Sequence, residues 1–179
     1  METKLFPYKD KYPSIAPDVF IAPGAKIIGD VEILEGSSVW YNVVIRGDVN
    51  YVKIGKNTNI QDGSVLHVTN RKFPLIIENN VTVGHAAVLH GAILKKNSFV
   101  GMGAILLDGA TLEPDSMVAA GSLVKQGFVV PSGKLVAGVP AKIIRDLTDE
   151  EIETIRQSAL NYAEYARISA ESLKNNDRV

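Results

Sequence analysis

The chain has 179 residues, 46% of them hydrophobic, a net charge of -1 and no cysteine. That balance excludes a disordered chain and the basic excess of a nucleic-acid-binding surface. The missing cysteine excludes disulfides, thiolate metal sites and a cysteine nucleophile.

In chain order, the opening METKLFPYKDKYPS lacks the basic-then-apolar pattern of a signal peptide. The first dozen residues read as a lead-in. No apolar run approaches the roughly 18 residues of a membrane span. The expectation is a soluble, cytoplasmic protein of one domain over 1–179, with no nucleic-acid or membrane partner.

A repeat then begins. Ile15, Ile21, Ile27, Ile33, Val39 and Ile45 are six residues apart. A nine-residue step leads to Ile54, Ile60 and Leu66, and an eleven-residue step to Ile77, Val83 and Leu89. A five-residue step leads to Leu94, after which Val100, Leu106, Leu112, Val118, Val124, Val130 and Val136 follow six apart without a break. A helix would want a period near 3.6 and a half-buried strand a period of 2. Six is the period of hexapeptide-repeat β-helices, in which an aliphatic residue points into a narrow prism and small residues turn each corner. Three faces close one coil of 18 residues. The known solenoids of this kind are left-handed, so the expected fold is an all-β solenoid, a left-handed parallel β-helix over about 13–140.

AGVPAK (137–142) ends the coil, and Pro140 suits a strand terminus. Thr148 and Glu151 form a T-x-x-E capping box. Ile152, Ile155, Ala159, Tyr162, Ala163 and Ala166 then recur at helical spacing. This predicts one C-terminal α-helix over about 148–175, lying along the coil.

The register gives each histidine an address. With faces A, B and C counted from Ile15, the residue after each face-C aliphatic is Arg46, His67 or His90. All three point outward in one column. Neighbouring strands lie about 4.8 Å apart, so His67 and His90 can converge on one metal ion. His85 stands two residues after a face-B aliphatic, in a column with Tyr41 and Asp62. It cannot easily reach that metal within its own chain. In a closed three-fold ring, face B of one subunit would meet face C of the next. Three histidines from two chains would then form each site of a homotrimer. A three-histidine zinc site keeps a position open for water, the catalytic rather than the structural arrangement. Bound zinc lowers the pKa of that water to about 7.

The stretches IRGD (45–48), NIQDGSVLH (59–67) and VGHAAVLHG (83–91) resemble the γ-class carbonic anhydrases, and the coil, its AGVPAK ending and the closing helix match as well. The resemblance implies reversible hydration of CO2 to bicarbonate at a trimer interface. His67, His85 and His90 would be the ligands of zinc, with iron(II) or cobalt(II) as alternatives. It implies that Gln61 orients the reacting oxygen and that Asn59 is an active-site amide. Arg46 and Asp48 would bridge subunits, Asp62 would join this network or steady a ligand histidine, and Tyr162 would reach the pocket from the helix. One departure stands out. The family's best-studied type carries glutamates on an acidic loop for proton transfer, whereas HVTNRKFPL (67–75) is short and basic. Slow turnover would follow. Two other readings share the scaffold: an acyltransferase using acetyl-CoA, and a non-catalytic metal-binding or scaffold relative.

Overall fold

Parallel pairing stacks the rungs in the register that the aliphatic pattern predicts. In this computed structural model, which describes residues 4–176, face A pairs Ile15, Ile33, Ile54, Ile77, Leu94, Leu112 and Val130 in succession. Face B pairs Ile21, Val39, Ile60, Val83, Val100, Val118 and Val136. Face C pairs Ile27, Ile45, Leu66, Leu89, Leu106 and Val124. Apart from Ile15 and Ile21, which are partly buried, these side chains are buried in one continuous core. Each fully buried aliphatic side chain contributes about 1.5–3 kcal/mol over its exposed state. The protein is therefore a β-solenoid, and its described residues contain a single, C-terminal helix.

The unequal steps of the repeat shape one corner. The nine-residue step is not a free loop. It runs inside an eleven-residue strand, Val44–Ile54, that rounds the corner from face C to face A. Its partner Lys26–Ile33 matches Gly29 to Gly47 and Val31 to Val52, so Asp48 to Tyr51 bulge where the partner has only Asp30. The eleven-residue step leaves the coil at the same corner and closes through an antiparallel bridge between Thr69 and Phe73. The two excursions lean on each other. Arg71 N–H donates to the Val49 carbonyl at 3.3 Å, and Asn50 Nδ2 donates to the Thr69 carbonyl at 3.0 Å.

The corner between faces A and B carries a polar ladder. Asn57, Asn80, Asn97 and Asp115 all have φ between 51° and 58°, the left-handed region that Asn and Asp tolerate best among residues with a side chain. Their side chains bond in series, from Asn57 to Asn80 at 3.5 Å, Asn80 to Asn97 at 3.2 Å and Asn97 to Asp115 at 3.1 Å. The last rung's Asp115 accepts Arg156 of the helix at 3.1 Å.

That helix, α1 (Asp149–Asn176), lies across the outer side of face B. It begins with the expected capping box: Glu151 N–H donates to Thr148 Oγ1 at 3.2 Å, and Thr148 N–H donates to Glu151 Oε2 at 2.9 Å. Ile155, Ala159 and Ala166 are buried. No helix among the described residues is long and apolar enough to cross a membrane. Two features add to the sequence reading. Part of the lead-in is a strand, Leu5–Phe6, paired with Ile27 and Ile28. Parallel pairing ends with Lys134–Gly138, and one more strand follows it. The strand Lys134–Gly138 turns through a cis Val139–Pro140 bond into Ala141–Asp146, which pairs back antiparallel.

Candidate metal centre

Strand register sets the first pair. His67 and His90 are direct partners on adjacent rungs of face C. Their rings stand edge-on with centroids 5.1 Å apart, and His67 Nδ1 lies 3.1 Å from His90 Nε2. The opposite ring nitrogens are both engaged by carboxylates. His67 Nε2 donates to Asp48 Oδ1 at 3.0 Å, and His90 Nδ1 donates to Asp108 Oδ1 at 2.8 Å.

These partners decide the tautomers. An ionised carboxylate only accepts hydrogen bonds, so the proton of neutral His67 is on Nε2 and that of His90 on Nδ1. The two nitrogens that face each other then carry lone pairs. Two lone pairs at that distance repel unless a proton or a cation lies against both. Two nitrogens held at 2.0–2.1 Å from one tetrahedral zinc lie about 3.3 Å apart, close to the observed spacing. The donor set therefore fits a divalent metal of the borderline class that imidazole suits.

Asp48 reaches this position because the corner bulge carries it. It also takes an ion pair from Arg46 and a hydrogen bond from the Val49 N–H at 2.8 Å. Burial opposes its ionisation, but the hydrogen bonds from His67 and Arg46 and the positive charge of Arg46 outweigh that and hold its carboxyl below the usual range. Arg46 is itself exposed at the edge of the pair.

Asp108 is absent from the sequence-level candidates. A signal for it existed: Leu106 is the face-C aliphatic on the turn after Leu89, and Asp108 follows it by two residues. Its other oxygen accepts Thr69 Oγ1 at 2.8 Å.

His85 lies on the other face, as its address requires. Its Nδ1 lies 2.7 Å from Asp62 Oδ2, and the pair is partly exposed. Among the described residues of the single chain, no three histidine or carboxylate side chains converge where they could hold a metal. The chain thus brings together His67, His90, Arg46 and Asp48, and keeps His85 with Asp62 apart from them.

Beside Asp62 runs a buried amide chain. Gln61 Nε2 donates to Asn59 Oδ1 at 3.1 Å, and Asn59 Nδ2 donates to Thr82 Oγ1 at 2.9 Å. Thr82 in turn donates to Ser158 Oγ on α1 at 3.2 Å. Gln61, Asn59 and Thr82 are all buried, so this series sets which way each amide faces. Thr82 and Ser158 were not among the sequence-level candidates either. Tyr162 stands one helical turn beyond Ser158, packed edge-on against Trp40 at 5.4 Å. Burial, then the negative charge of Asp62 and the neighbouring Tyr165, push its phenol above the ordinary value.

Residues 12–47 match the family model described as bacterial transferase hexapeptide (six repeats). The chain is 52% identical to Gamma carbonic anhydrase 2, mitochondrial, of Arabidopsis thaliana over 90% of its own length, but it spans only 60% of that protein. It is 56% identical to a probable carbonic anhydrase of Methanocaldococcus jannaschii, covering 83% of this chain and 92% of that one. A solved structure from Bacillus cereus, described as a putative acetyltransferase, superposes with a TM-score of 0.90 at 44% identity, covering 92% of this chain and 95% of the other. On these likenesses, and on a β-solenoid fold that agrees with them, the chain belongs to the γ-carbonic anhydrase family of hexapeptide-repeat proteins.

Proposed function

We propose that the protein is a metal-dependent carbonic anhydrase that interconverts CO2 and bicarbonate. It would work as a homotrimer, with His67 and His90 of one subunit and His85 of the next holding each metal. The observation that carries this reading is the arrangement of the imidazoles: each sets one nitrogen against a carboxylate, and the bare nitrogens of His67 and His90 face each other at 3.1 Å. Carboxylate–imidazole pairing of this kind orients metal ligands and raises their basicity.

Zinc, iron(II) or cobalt(II), when bound, supplies Lewis-acid activation of water near neutral pH. The chain's own residues do the rest. Asp48 and Asp108 hold the tautomers of His67 and His90, and Asp62 stands beside His85. Gln61, its amide fixed by Asn59, orients the oxygen that adds to CO2. Arg46, paired with Asp48, lies at the edge where subunits would meet. Residues 67–75 carry Arg71 and Lys72 and no carboxylate, so the proton released in hydration has no carboxylate relay on this segment.

The test joins metal analysis of anaerobically purified protein to a CO2 hydration assay. Wild type should hold close to one divalent metal per chain and hydrate CO2, and His90→Ala should lose both. An alanine variant that keeps both would refute the ligand set. The name of the similar Bacillus cereus structure favours a second reading, an acyltransferase. Stoichiometric binding of acetyl-CoA by metal-stripped protein in calorimetry would select it. Bound metal without hydration activity would select a non-catalytic relative.

A further inference from the structure

We propose that the short segment Thr69–Phe73 is a clamp that holds Asp108 against His90, which makes Thr69 and Phe73 positioning residues of the centre. The inference takes its functional meaning from the metal-centre reading above.

Two hydrogen bonds converge on Asp108. Its Oδ1 accepts His90 Nδ1 at 2.8 Å, and its Oδ2 accepts the Thr69 hydroxyl at 2.8 Å. Both carboxylate oxygens are thereby spoken for, so the group cannot rotate without losing a bond. The glycines beside this pair are packed by the same segment. The residues that follow His90 and Asp108 are both glycines in the left-handed region, Gly91 at φ 59° and Gly109 at φ 68°. Phe73 fills the space that their missing side chains leave. A Cβ on Gly91 would stand 2.5 Å from Asp108 Oδ1 and 2.7 Å from Phe73 Cβ, and one on Gly109 would stand 3.0 Å from the Phe73 ring. Overlaps of that size displace atoms.

The segment is itself anchored. Thr69 N–H donates to the Phe73 carbonyl at 3.0 Å, and the Thr69 carbonyl accepts Asn50 Nδ2 at 3.0 Å from the bulge that also carries Asp48. One corner therefore holds the carboxylate partners of both histidines. The clamp's work is to keep the proton of His90 on Nδ1 and its Nε2 bare and directed at His67.

The protein contains three histidines, so their ring nitrogens can be followed individually by 15N NMR in metal-free full-length protein. Wild type should show His90 as the Nδ1–H tautomer alone. Thr69→Val, which keeps the shape and removes the hydroxyl, should admit the Nε2–H tautomer. It should also weaken cobalt(II) binding by about tenfold, the lower end of what loss of a ligand's outer partner costs. Thr69→Ser should restore both. A Thr69→Val protein with the wild-type tautomer and wild-type cobalt affinity overturns the clamp. Wild type that takes up no cobalt, while Thr69→Val still shifts His90, leaves the clamp standing and removes the metal centre.

Discussion

At the scale of the residue, the centre is a problem of hydrogen-bond direction. A carboxylate can only accept, so Asp48 and Asp108 each force a proton onto one nitrogen of one histidine and strip it from the other. The amide chain beside Asp62 obeys the same logic. Asn59 gives its N–H to Thr82 and its oxygen to Gln61, and a flipped Asn59 would set two N–H groups against each other. Thr82→Val should therefore leave Asn59 with a buried, unpaired donor, which costs about 1–3 kcal/mol of stability. Metal content should stay at the wild-type level while kcat/KM for CO2 falls. Equal kcat/KM in the valine variant would mean that Gln61 takes its orientation from elsewhere. The histidines were legible in the sequence because the aliphatic period records which way every side chain points. Their carboxylate partners were legible unevenly. Asp62 shares a column with His85, whereas Asp108 stands one residue out of the His90 column and reaches it from the next turn.

At the scale of the element, helix α1 is anchored at its start and along one side. Glu151 accepts a bidentate pair from Arg145 as well as the Thr148 N–H. The Arg145 guanidinium first, and then the Thr148 N–H, hold its carboxyl down to about 2. A depressed carboxylate stabilises the folded form above its unfolded value, near 4.5, and that contribution is lost as pH falls toward 2. Helical circular dichroism should therefore weaken between pH 4.5 and 2, and Glu151→Gln should flatten that pH dependence. An unchanged acid limb in the variant would assign the loss to other groups. The capping box was readable from T-x-x-E because it is local. The corner excursions were readable as surplus residues that bulge from corners as loops, and the first of them is instead a bulge within a strand. Whether such a surplus becomes a loop or a bulge within a strand depends on what it leans against, and here each excursion leans on the other.

At the scale of the whole molecule, the prism separates faces B and C, and this separation is what turns a histidine set into a question of assembly. If each centre joins His85 of one subunit to His67 and His90 of the next, two inactive variants should rescue each other. Mixing His85→Ala and His90→Ala chains after reversible dissociation should return about a quarter of the wild-type sites, since each mixed trimer of random composition contains one intact set. Metal uptake that stays at the level of the separate variants would place the histidines in different sites.

The reversed strand at the end of the coil has its own consequence. Parallel rungs are all alike in direction, so the last one is a ready template for the first rung of another copy, and stacking could continue into a fibre. On face B, Ala141–Asp146 occupies that position with its direction inverted and charged residues at 142, 145 and 146. The final turn thus gives a newcomer no like-oriented strand to extend there, which helps a repetitive chain remain a particle of finite length.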